Sequence, residues 1–154
     1  MERISEHVSY REGVKSNTAT RLNIDNTPDS YALSNMTAIS IHLFEPLRRW
    51  VGGPIKINSF YRSEDLNKAI GGSSRSQHCQ GRAIDIDDTF GYKTNAEMFY
   101  FLKGTLNFDQ IIWEFGDDKN PDWVHMSFIS FNENRGRALI AYREKGKTKY
   151  KNYE

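Results

Sequence analysis

One cysteine, Cys79, stands alone in a chain of 154 residues. No disulfide can close within the chain, so a small secreted fold held together by cystine bridges is excluded. Long apolar runs are missing as well, and nothing in the sequence is long enough to cross a bilayer. The opening residues, Met1-Glu2-Arg3-Ile4-Ser5-Glu6-His7, lack the apolar stretch of a signal peptide. As it stands the chain is expected to be made and left in the cytoplasm; a mature form stripped of its leader reads the same way. Charge of one sign is absent too, with 21 basic against 20 acidic residues and a net charge of +1. No overall field therefore draws the protein to nucleic acid or to an acidic membrane surface. Repeats and low-complexity segments are not found.

What is present points to a packed globule. Aromatic residues make up 13% of the chain, which opposes disorder, and the length suits one domain over 1–154 with a real core. Residues 1–27 form a polar lead-in, irregular or with short helices, and residues 144–154 a basic tail, frayed or forming a last edge strand. Thr27 can cap a helix whose first turn holds Pro28 and Asp29. Its apolar positions Ala32, Met36, Ile39, Leu43, Leu47 and Trp50 step by three or four and mark a buried stripe, which Gly52-Gly53-Pro54 ends. Ile55 to Phe60 reads as a strand. Ser63 caps a short helix closed by Gly71-Gly72. Thr94-Asn95-Ala96-Glu97 is a capping box opening another helix. Asp109 to Phe115, Trp123 to Ile129 and Arg137 to Arg143 are strand candidates between turns rich in Gly, Asn and Asp. Helices precede and interrupt the strands without regular alternation, so the expected class is α+β, a mainly antiparallel sheet with helices packed around it.

The chemistry concentrates in Ser76-Gln77-His78-Cys79-Gln80-Gly81-Arg82-Ala83-Ile84-Asp85-Ile86-Asp87 and, forty residues on, in Asp122-Trp123-Val124-His125. Two imidazoles and a carboxylate are the usual protein ligands of a catalytic Zn²⁺, with a fourth position open. Gly81 lets the chain turn sharply after His78. Beyond it Ala83, Asp85 and Asp87 alternate with Ile84 and Ile86, while Trp123, His125 and Ser127 alternate with Val124, Met126 and Phe128. Two strands can thus bring His78, Asp85 and His125 to one point. Aspartate is depleted inside strands, and a buried carboxylate needs a cation or several donors; a metal answers that need for Asp85.

The pattern S-x-H-x-x-G-x-A-x-D with a late W-x-H resembles the zinc D-alanyl-D-alanine carboxypeptidases and their endolysin relatives, a group related to lysostaphin-type peptidases and the hedgehog signalling domain. The resemblance runs from about Ile55 to Phe128 and includes Ile57-Asn58-Ser59-Phe60-Tyr61-Arg62-Ser63. It implies a hedgehog-like or DD-peptidase-like fold and a zinc enzyme that hydrolyses peptide bonds in peptidoglycan stem peptides. It makes His78, Asp85 and His125 the zinc ligands, Asp122 the general base and Arg62 a substrate-binding cation. A monomer acting on a peptidoglycan peptide is expected, with wall action following release from the cell. Endopeptidase and carboxypeptidase action both remain open, as do a dipeptidase on free D-Ala-D-Ala-type substrates and a zinc domain without catalysis.

Other readings stand beside these. Glu114, Asp117 and Asp118, placed in the preceding loop, rival Asp122 as the base, and Asp122 itself suits a turn after Asn120-Pro121. Arg62 could be an exposed residue before the Ser63 cap. His7 and His42 read as hydrogen-bonded structural histidines, and Asp87 as a strand-end acid. Cys79 should point away from His78. Ser76 and Gln77 serve either a ligand or the loop itself, and Trp123 lines either cleft or core.

Overall fold

The computed structural model describes residues 1–154. Its centre is a six-stranded sheet in the order β3-β4-β6-β5-β7-β8. The strands are β3 (Lys56–Ser59), β4 (Ala83–Asp87), β5 (Gln110–Glu114), β6 (Trp123–Ser127), β7 (Arg137–Glu144) and β8 (Lys147–Asn152). Every neighbouring pair is antiparallel except β5–β7. With helices against one face, the fold is α+β with a mainly antiparallel sheet, as the sequence implied. The basic tail takes the edge-strand alternative, and its lysines suit an edge that must not recruit another strand. The lead-in holds a small ribbon that the sequence did not disclose, β1 (Arg3–Ser5) with β2 (Val8–Ser9), before the short helices α1 (Tyr10–Val14) and α2 (Asn17–Leu22).

Side-chain alternation divides the sheet into two chemically different faces. On one, Ile84, Met126 and Ile111 lie in register across β4, β6 and β5, as do Ile86, Val124 and Trp113. All six are buried in the main core. The helices α3 (Ser30–Ile39), α4 (Glu45–Val51) and α6 (Asn95–Thr105) close that core with Met36, Ile39, Leu47, Phe99 and Leu102. On the other face the equivalent row is Asp85, His125, Ile112 and Leu139. A single strand pairing therefore sets the polar groups of the site side by side.

The long helix begins two residues later than expected, because Asp29 and not Thr27 caps it, accepting from the Ala32 N–H at 2.8 Å. It also widens at Ser40–Phe44, where the Glu45 N–H reaches back five residues to the Ser40 carbonyl. Pro46 explains the widening: it has no N–H, and its ring would crowd the carbonyl four residues back. The wider turn shifts the phase of the stripe. Val51 is buried, while Trp50 is 39% exposed and stacks on Phe101 with centroids 4.5 Å apart. The capping box at Thr94 and Glu97 and the Ser63 cap of α5 (Glu64–Ala69) form as read from the sequence. No helix is long and apolar enough to cross a membrane.

Candidate functional site

His78 is delivered by a single 3₁₀ turn, Gln77–Gln80, capped by Ser76, whose Oγ accepts from the His78 N–H at 3.3 Å. Gly81 ends the turn at φ 73° and lies against the Ala32 carbonyl of α3, where a Cβ would collide. Both conformation and space therefore demand glycine. Asp85 is central in β4, and His125 is its register partner in β6. One potential donor atom from each of His78, Asp85 and His125 lies within 4.8 Å of the others. The two rings sit edge to face with centroids 5.3 Å apart.

The hydrogen-bonding pattern tests whether this trio suits a cation. His78 Nδ1 lies 2.7 Å from the Phe60 carbonyl. A carbonyl only accepts, so Nδ1 carries the proton and Nε2 presents a lone pair. That Nε2 is buried without a hydrogen bond, although Asp85 Oδ2 is 3.3 Å away. Asp85 Oδ1 lies 2.9 Å from His125 Nδ1. Burial pushes the Asp85 carboxyl upward, but the two imidazoles outweigh it and hold it far below the ordinary range. Burial pulls His78 below its ordinary value despite Asp85. It also acts downward on His125, where the bond to Asp85 prevails and the net shift is upward. A buried, orphaned imidazole nitrogen, a neighbouring imidazole and an ionised carboxylate converge, with the first ring oriented by a backbone carbonyl. This donor set fits zinc.

The trio lies in a cleft of about 870 Å³ whose lining includes Arg62, Glu114, Trp123 and residues of β7 and β8. Arg62 is half-buried. Its Nη1 donates to Asn67 Oδ1 at 3.0 Å, while Nε is buried without a partner. The alternative of a freely exposed arginine before a helix cap does not hold.

Asp122 stands apart from the trio. Its N–H donates to the Glu114 carbonyl at 2.9 Å, and its own carbonyl accepts from Asn95 Nδ2 at 3.1 Å. Asp122 precedes β6, whose first residue, Trp123, is the register partner of Glu114. The Asp122 side chain is exposed, and it does not line the cleft. Glu114 does line it. It is the last residue of β5, not a loop residue, and stands opposite Trp123 on the face that carries His125. Only 8% exposed, its carboxyl is pushed up to about 7, chiefly by burial, with His125 opposing and Asp85 adding to the rise. Asp117 is spent on the turn, accepting from the N–H groups of Lys119 and Asn120, and neither it nor Asp118 lines the cleft.

The remaining residues resolve simply. Trp123 is cleft wall. Gln77 donates to Asp109 at 3.0 Å, and Asp109 also binds Arg135, so Ser76 and Gln77 brace the loop while both line the cleft. Asp87 accepts from the Asp88 N–H and from Asn95, as a strand-end acid does. Cys79 neither belongs to the trio nor lines the cleft. His7 donates to Glu45 at 2.7 Å, and His42 packs between Phe128 and Phe131.

An α+β fold whose polar sheet face holds an N, O, N donor trio with a buried acid beside it is built as a metal-dependent hydrolase would be. Residues 6–127 match the family model of peptidase M15. The chain belongs to that family of zinc metallopeptidases, whose substrates are peptides. No curated protein sequence matches it.

Proposed function

We propose that the protein hydrolyses an internal peptide bond of peptidoglycan stem peptides, with zinc held by His78 Nε2, Asp85 and His125 Nδ1. The observation that carries this reading is the buried, unpartnered Nε2 of His78 facing Asp85 and His125. Zinc, when bound, supplies a Lewis acid and acidifies water at the site. The residues supply the rest. Glu114 takes a proton from water as it attacks the scissile carbonyl. As the C–N bond breaks, Glu114 gives that proton to the leaving amine. Burial holds its carboxyl near 7, where it can both accept and return a proton at neutral pH. Arg62, anchored by Asn67, holds a carboxylate of the substrate. A cleft that runs on past the trio to β8 supports cutting within a peptide over trimming its end.

Zinc-loaded protein incubated with purified peptidoglycan should release fragments whose masses place the cut at one internal stem-peptide bond. Loss of terminal D-alanine alone would assign carboxypeptidase action. Cleavage of free D-Ala-D-Ala with intact muropeptides would assign a dipeptidase. Metal-loaded protein inert on all three would assign a silent zinc domain.

For Arg62, lysine should not substitute, because it lacks the planar two-pronged contact. Arg62→Lys is expected to cost on the order of 2–5 kcal/mol in kcat/KM, with zinc content unchanged. The loss appears in KM if the contact is equal in ground and transition states, and in kcat if it steadies the oxyanion. Wild-type kinetics in both Arg62→Lys and Arg62→Ala would remove Arg62 from the site.

A further inference from the structure

The hairpin β7–β8 lies beyond the matched span of residues 6–127, yet it forms a wall of the cleft. Arg143, Thr148 and Tyr150 face into it, while the intervening Lys147, Lys149 and Lys151 belong to the opposite face of β8. The only acids lining the cleft are Asp85 and Glu114, both already part of the site. Arg143 has no acidic partner; Glu144 beside it binds Lys149 at 2.9 Å.

Arg143 is nevertheless held in place. Its guanidinium lies 4.6 Å over the ring of Phe115, which in turn packs on Trp123 at 5.5 Å. Phe115 takes φ 58°, a conformation that costs a bulky side chain energy and persists where surrounding structure enforces it. Here its N–H is tied to the Ala141 carbonyl at 3.0 Å, which fixes the aromatic shelf under Arg143. A guanidinium held over an aromatic face can still offer N–H donors to a ligand.

The sheet gives Arg143 a position relative to the reaction. Glu114 pairs with Ala141, and Arg143 is two residues further along the same face of β7. Strand spacing and rise put the two backbone positions about 8 Å apart. Arg62, which follows β3, lies on the other side of the trio, since β4, β6 and β5 intervene in the sheet order. If Glu114 returns its proton to the leaving amine, the leaving half of the peptide passes over Glu114 towards β7.

We infer that Arg143, laid on Phe115, takes a free carboxylate on the leaving half of the substrate, so that the site selects carboxylated peptides over their amidated counterparts. This rests on the hydrolytic reading above for its direction, but the contact itself is measurable without turnover. The probes are synthetic L-alanyl-D-isoglutamyl-L-lysyl-D-alanine amide with its isoglutamate α-carboxylate free, which lies on the leaving half when the alanyl–isoglutamyl bond is cut, and the same peptide amidated there as well. Calorimetry with zinc-loaded Glu114→Gln protein should show the free acid binding about tenfold tighter, a preference that shrinks as salt is raised. Adding Arg143→Gln should bring the two peptides within about twofold, and Arg143→Lys should restore little. Lys147→Gln, on the opposite face, should keep the full preference.

A preference that survives Arg143→Gln, no preference in the parent, or no binding of either peptide at millimolar concentration overturns the inference. A preference that depends on Arg143, in a protein whose wild type cleaves neither peptide, would sink the hydrolytic reading and leave the carboxylate site standing.

Discussion

Glu114→Gln should retain zinc and fold yet lose about 10²–10⁴-fold in hydrolysis, the range expected when a general base is removed. The amide keeps the shape of the side chain and deletes only its capacity to take a proton. The same substitution should stabilise the metal-free protein. Burial raises the Glu114 carboxyl to about 7 from the ordinary 4.5. Between those values the unfolded chain has released its proton while the folded chain still holds it, so stability falls as pH rises through this window. Above about 7 the buried charge costs up to about 3 kcal/mol. A glutamine carries no such charge, and Glu114→Gln apoprotein at pH 8 should melt at a higher temperature than wild type, with the gap closing towards pH 4. The pH profile supplies a further sign. Hydrolysis by wild type should rise with pH along an acid limb at or below about 7, because a bound cation favours the charged carboxylate and moves the limb down. Near-normal turnover in Glu114→Gln would return the base to another group; Asp122→Asn, by contrast, should leave hydrolysis close to wild type.

That Glu114 reads as a loop acid in the sequence has a physical explanation. The segment Asp122-Trp123-Val124-His125 has the right spacing, but strand phase is set by where the ladder begins, and sequence does not print that boundary. The ladder begins at Trp123, so Asp122 lies outside the alternation that places His125, and its side chain is exposed. The sequence itself carries a signal for Glu114. It follows Ile111, Ile112 and Trp113 and precedes Phe115, so it is an acid in an apolar strand, the same anomaly that singled out Asp85. The convergence of His78, Asp85 and His125 was legible because it depends only on alternation within two strands and on a glycine turn. Arg143 was not, because its meaning arises from the β5–β7 pairing, a parallel contact between segments that local periodicity does not connect. Trp50 failed for a related reason: Pro46 forces a wider turn upstream, and one added residue rotates everything after it.

The metal itself gives the second large effect. Wild-type protein should carry about one zinc per chain, at ligand distances of roughly 2.0–2.2 Å. A chelator should abolish hydrolysis, and returning zinc should restore it. The stability readout is independent of any substrate. Binding to the folded state alone raises stability by about 4 kcal/mol when free zinc is a thousandfold above its dissociation constant. Melting temperature should therefore climb with zinc concentration. In a His78→Ala, His125→Ala double variant both the retained zinc and this climb should vanish. The variant also removes the neighbours that hold the Asp85 carboxyl ionised, so burial alone then governs that group and drives it towards the neutral form. The opposite outcome, stoichiometric zinc kept by the double variant with an undiminished rise in melting temperature, would place the cation elsewhere. The orphaned Nε2 of His78 would then need another partner.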